Sequence, residues 1–200
     1  MTGPVPTERH MVASAIVCDP HPADGIARVL LVWGEDYRAW MFPTGHLMAG
    51  ESLPQAALRA TIAAGVDAWL TRPTPPQPAP GLTAVDSPWR TYTLAAPPSG
   101  TGSPPGGAEP DRPAGPWHQH LDHLFICVAD SRARIDPAAW LRNQWAPLHA
   151  LPDPVRPDIP ALARAAIHHA TTAVYRPYQR LNRQPGQQHC PQDHRGRTHR

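Results

Sequence analysis

The sequence predicts one α/β domain, because strand-like and helix-like segments are interspersed along 200 residues, a length that allows a single sizeable core. Three apolar runs have strand character, residues 11–18, 28–33 and 117–129, and two segments have helical character, residues 52–64 and 158–174. Around them, 28 prolines and 14 glycines make up about a fifth of the chain, which points to long irregular stretches about a compact centre.

Residues 1–10 read as an N-terminal tail without the basic-then-apolar pattern of a secretion signal. Residues 11–18 are rich in valine and isoleucine, and the stretch 19–25 that follows holds two prolines and a glycine, so 11–18 and 28–33 read as two strands of a hairpin or meander. The segment 52–64 begins with Ser52 and Gln55 at the spacing of a capping box, in which each side chain reaches the other's backbone N–H. Pro54 fits a first helical turn, where its missing donor costs nothing, and Gly65 supplies the stop. Residues 72–116 hold 13 of the prolines and six of the glycines. Only 89–94 looks like a strand there, and 95–115 reads as a flexible loop. The run 117–129 is polar at its start and continuously apolar from Leu124 to Ala129. In 158–174, Ile159, Leu162, Ala163, Ala166, Ile167, Ala170 and Val174 recur at helical spacing behind Asp158 as N-cap. The expected domain is therefore 11–175, with 72–116 as a partly disordered Pro/Gly-rich insertion and 176–200 as a disordered Arg-rich tail.

The net charge of +2 is unevenly spread, since six arginines against Asp193 give residues 176–200 a charge of +5 and leave the body at −3. All 18 basic residues are arginine, as GC-rich bacterial coding favours. The tail has too few apolar residues to bury and reads as a solvated extension, so no nucleic-acid partner is expected. Cys18 and Cys127 lie in apolar runs as small buried hydrophobes, Cys190 lies in the tail, and no CxxC pair exists. No apolar run approaches the ~20 residues of a membrane span. A reducing, cytoplasmic setting without membrane contact follows as the expectation, and the sequence leaves the oligomeric state open.

The informative stretch is Trp40-Met-Phe-Pro-Thr-Gly-His-Leu-Met-Ala-Gly-Glu51-Ser, followed by Ala56-Ala-Leu-Arg59. It resembles the Nudix box, G-x5-E-x7-R-E-U-x-E-E-x-G-U with U bulky and aliphatic, and it keeps the spacing from Gly45 to Glu51 and from Glu51 to Arg59. His118-Gln-His-Leu-Asp122 leading into Leu124-Phe-Ile-Cys-Val looks like the H-x-H-x-D strand of some bacterial Nudix proteins. Trp145-Ala-Pro-Leu148 to Leu151 resembles the segment before that family's closing helix. The resemblance spans roughly residues 11–174 and implies a Nudix-like α/β/α sandwich with a mixed β-sheet. It also implies hydrolysis of nucleoside diphosphates linked to another moiety, with Mg²⁺ or Mn²⁺ held by helix carboxylates that activate water.

The departures bear on the chemistry. The three carboxylate positions after Arg59 are Ala60, Ala63 and Ala64, Thr44 replaces the first loop glycine, and the box glycine arrives one residue early, as Gly65. Mg²⁺ needs hard oxygen ligands, and alanine offers none. Glu51 and Arg59 remain as candidate catalytic residues by the resemblance; as a pair two turns apart they equally suit a structural role at the loop–helix junction. Gly45, His46, His118, His120, Asp122 and Trp40 are candidate ligand-binding residues. Side chains alternate along a strand, so His118, His120 and Asp122 share a face. With His46 they would suit Zn²⁺, Mn²⁺ or Fe²⁺, or else line a pocket or a solvated strand end. Trp40, Phe42 and Trp89 could stack on a base or fill the core, and Arg28, Arg38, Arg72 and Arg90 are candidates for phosphate contact without a distinguishing spacing. Three functions compete: a module binding a small nucleotide-like ligand with hydrolysis weak or lost, an active hydrolase with relocated ligands, and a scaffold whose working parts are the Pro-rich loop and the tail.

Overall fold

The computed structural model describes residues 9–71, 86–96, 118–139 and 141–172. Its centre is β1 (Arg9–Asp19), buried without interruption from Val12 onward. A strand apolar on both sides must be covered on both faces, which places it inside a sheet. β7 (His118–Val128) runs parallel to it over ten residue pairs, from Arg9 opposite Gln119 to Cys18 opposite Val128. The sheet is mixed, as expected, because the other pairings between its named strands are antiparallel.

β2 (Arg28–Gly34) meets β1 only at Cys18 opposite Val29 and Asp19 opposite Arg28, so the expected hairpin is short. β2 also pairs with β3 (Ala39–Met41) and β8 (Asn143–Pro147). β4 (Thr44–His46) continues along the β1 edge, opposite residues 12–14. Beyond β7 lie β5 (Trp69–Leu70) and β6 (Arg90–Ala96), the latter where 89–94 had strand character. The strands absent from the sequence reading, β3, β4, β5 and β8, are two to five residues long. That is too few to display a period of two, and their pairing is decided by neighbours distant in sequence.

Helix α1 (Leu53–Ala63) covers one face of the sheet and α2 (Ile159–Thr172) the other. α1 packs through small side chains, with Ala56, Ala57 and Ala64 in the same core cluster as Ile16, Leu30, Phe42 and Leu124. At its start the Gln55 side-chain carbonyl accepts from the Ser52 N–H at 2.8 Å and from the Ser52 hydroxyl at 2.8 Å. At its end Gly65 N–H donates to the Ile62 carbonyl (2.8 Å) and Val66 N–H to the Thr61 carbonyl (3.0 Å), the paired bonds of a Schellman stop. Gly65 has φ +76°, and a Cβ there would meet Ala139 Cβ and Ile135 Cγ2 at 2.8 Å, so both backbone and space demand glycine.

α2 begins as expected, with the Asp158 carbonyl taking the first helical bond from Leu162 N–H. The Asp158 carboxylate is held by Arg156 Nε and Nη2 at 2.7 and 2.8 Å. The segment before α2 is pinned to β3 by Trp40 N–H to the Pro154 carbonyl and Arg156 N–H to the Trp40 carbonyl. Cys18 and Cys127 are buried and free. Among the described residues no helix is long and apolar enough to cross a membrane. The expected tail at 176–200, Val174, Arg72, Cys190 and most of the Pro/Gly-rich insertion lie outside the described residues.

Candidate functional site

The residues singled out in the sequence fall on two opposite faces of the sheet, and β4 divides them. A Cβ on Gly45 would lie 3.3 Å from Arg59 Nη1, so Gly45 faces α1. His46, the next residue of the strand, faces away from it.

On the α1 side, Arg59 grips Glu51 with two bonds, Nε to Oε1 at 2.8 Å and Nη2 to Oε2 at 2.9 Å. Nη2 also donates to the His46 carbonyl at 2.7 Å, and Met48 N–H donates to Glu51 Oε2 at 3.0 Å. Together these bonds clasp the loop between β4 and α1 onto the helix. The Arg59 guanidinium holds the Glu51 carboxyl below its ordinary value, so it is a carboxylate with both oxygens engaged. Ala60 and Ala64 are 3% and 0% exposed, turned into the core. The residues of this face do not fit the Mg²⁺ that the box resemblance implies: three ligand positions carry methyl groups, and the remaining acid is committed to an arginine.

On the opposite face the register gathers histidines. Residues paired across strands share a face, and Val12 is opposite both His46 on β4 and Asp122 on β7, while His10 is opposite His120. His118 lies two residues before His120 and points the same way. The ligand-capable nitrogens of His10, His46, His118 and His120 all lie within 4.8 Å of one another. His118 Nε2 and His120 Nε2 are 2.8 Å apart, sharing a proton between them. Burial and the neighbouring imidazoles push His120 down to about 4, and burial, His10 and His118 lower His46 too.

Asp122 is on this face but is not one of the four, contrary to the His46/His118/His120/Asp122 grouping read from the sequence. It lies one row deeper, its carboxyl pushed up to about 6 by burial, against the opposing pull of the Ser14 hydroxyl and the Arg156 charge. Ser14 Oγ in turn is 2.6 Å from Thr44 Oγ1. Arg156, 8% exposed, completes this inner row and was not singled out in the sequence. His10 was missed as well, because β1 begins at Arg9 rather than at the expected Met11. The alternation His10, Val12, Ser14 was visible, but the parallel register that sets His10 beside His120 is a long-range fact.

The aromatic candidates serve elsewhere. Trp40 is buried, with its ring 5.7 Å from that of Trp33 at 76°, and Arg142 lies over both rings. Its assignment to the ligand site is thereby corrected, since packing between β3 and β2 uses the ring. Phe42 is core, and Trp89 lies under Arg90. Arg28 pairs with Asp24 at 2.6 Å. Arg38 has φ 49° in the turn before β3.

No protein-family model matches the chain, and no curated protein does. Solved structures do. A Nudix-family hydrolase from Clostridium perfringens is similar over 82% of this chain and 99% of its own, at 16% identity and a TM-score of 0.56. The Nudix hydrolase RenU of M. smegmatis is similar over 82% of this chain and 87% of its own (23% identity, TM-score 0.43). The Nudix domain of Shewanella oneidensis NrtR, solved with ADP ribose, is similar over 82% and 90% (19%, 0.44). The likeness to the C. perfringens structure is one of fold.

Proposed function

Taking as premise that the chain has the fold of the Nudix hydrolases, we propose that it binds a nucleoside-diphosphate-type ligand without performing magnesium-dependent hydrolysis at α1. One observation carries the reading: Ala60, Ala63 and Ala64 stand where the box has carboxylates, and Glu51 is held by Arg59 on both oxygens. Attack of water on a phosphorus needs a group that takes the proton and positive charge near the phosphate oxygens. Along α1 no side chain between residues 60 and 64 can do either, and each tenfold of rate lost corresponds to ~1.4 kcal/mol of barrier. Glu51 could act as base only by leaving a guanidinium that stabilises its ionised form. Gly45, Glu51 and Arg59 then hold the loop after β4 in place on the α1 side, and His46, His118, His120 and Asp122, on the other face, are the polar residues that would meet the ligand. The two buried free cysteines fit a cytoplasmic setting.

The competing reading, a hydrolase with relocated ligands, draws on the histidines across the sheet. The discriminating experiment incubates the full chain with a panel of nucleoside diphosphate conjugates in Mg²⁺ or Mn²⁺, following product release and melting temperature together. A melting-temperature rise without turnover is expected, because a ligand bound only by the folded state stabilises it. Turnover that disappears in Glu51→Gln overturns the proposal.

A further inference from the structure

We infer that His10, His46, His118 and His120 form a four-imidazole site for a borderline divalent transition metal, Zn²⁺ foremost, on the sheet face opposite α1. The site shares His46, His118 and His120 with the ligand-binding residues proposed above but needs no nucleotide, and it uses none of the carboxylate positions of the box.

Backbone comes first. The ligands sit on three adjacent strands, His10 on β1, His46 on β4, and His118 and His120 on β7, and each is held by ladder pairing, His118 through Ala96 of β6. A metal site needs donors held before the ion arrives, and a sheet interior supplies that rigidity. Tetrahedral Zn²⁺ with Zn–N near 2.0–2.1 Å sets its nitrogens about 3.3 Å apart. Here they lie within 4.8 Å of one another, with His118 and His120 closer, at 2.8 Å. One pair must part slightly and the others draw in, motions of the imidazole χ angles with no strand displaced.

Chemistry comes second. Imidazoles this close repel one another when protonated, and a shared cation replaces that repulsion with coordination. His10 and His118 have ring centroids 4.8 Å apart, and His46 and His120 4.9 Å. A set of four imidazoles favours Zn²⁺, Cu²⁺, Ni²⁺ or Co²⁺ and is a poor host for Mg²⁺ or Ca²⁺, which take oxygen. Burial grades across the site, from His118 deep in the sheet to His46 exposed at its rim, so an ion enters from the His46 side.

The test must separate this site from the C-terminal stretch, which carries His189, Cys190, His194 and His199. Full-length protein, stripped by chelator, is titrated with Zn²⁺ by calorimetry and with Co²⁺ by visible absorption, with Mg²⁺ as the counter-ion control. The expected result is one tight equivalent, tetrahedral Co²⁺ bands, a raised melting temperature, and no response to Mg²⁺. His46→Gln, at the exposed ligand, folds and loses at least about tenfold in Zn²⁺ affinity. His10→Gln provides a second, independent loss should buried His118 or His120 variants fail to fold. Absence of stoichiometric Zn²⁺ binding overturns the inference. So does binding that survives unchanged in the His46→Gln/His10→Gln double variant, which would assign the ion to the tail.

Discussion

Two neighbours in β4, Gly45 and His46, look onto opposite chemistries. On the Gly45 side Glu51 is paired with Arg59 and Arg59 with the His46 carbonyl, and the helix beyond is lined with methyl groups. On the His46 side, imidazoles crowd together with no acid among the four. The contrast teaches that the crowded titratable side chains of this site lie on the face of the sheet away from the box helix. α1 packs through alanines, and the cluster of imidazoles is carried by the sheet.

That contrast can be broken most directly by returning an acid to α1. Ala64→Glu places a carboxylate at a position with 0% exposure, and an unpaired buried charge costs about 3–5 kcal/mol. Chemical denaturation should show a loss of that size or failure to fold. A stable Ala64→Glu protein that binds Mg²⁺ would mean that the α1 face is a latent metal site. Arg59→Ala comes next. It strips Glu51 of its main partner and frees the loop, for a loss of about 1–2 kcal/mol, kept modest because the arginine side chain is 36% exposed and solvent-screened.

A smaller effect is expected in Glu51→Gln, and it has a pH signature. Arg59 depresses the folded-state pKa of Glu51 below 4.5, so the pair's contribution is present above that pH and is lost as pH falls through the folded value. Parallel melting curves of the two proteins should differ near pH 7 and converge in acid. Convergence on the alkaline side instead would show that Glu51 is not stabilised by its arginine. The smallest change is Ala63→Glu. This position is half-buried at the last turn, and an acid near a helix C-terminus costs only about 0.5 kcal/mol. It should fold normally and gain no Mg²⁺-dependent shift in melting temperature, because a single carboxylate does not rebuild a site.

Much of this was legible in the sequence where local rules decide. Ser52 with Gln55, Pro54, Gly65 and the continuous apolar runs of β1 and β7 specify their elements through contacts a few residues apart. The pairing of Glu51 with Arg59 followed from helical geometry. What stayed hidden depends on register: that His10 is opposite His120, that Asp122 lies one row away from the cluster, and that Arg156 reaches the same face. The division of Gly45 from His46 was recoverable, since strand alternation alone separates neighbours. Trp40 was misplaced because nothing local distinguishes a ring for stacking from a ring packed against Trp33.

Gly65 also sets the length of α1 from outside the helix. It leaves Ala64 as the cap residue, and it sits where any side chain would strike Ala139 and Ile135. A longer helix would need a different residue at 65 and a retreat of the segment 135–139. The extent of α1 is therefore dictated by its neighbour and not by its own helical propensity.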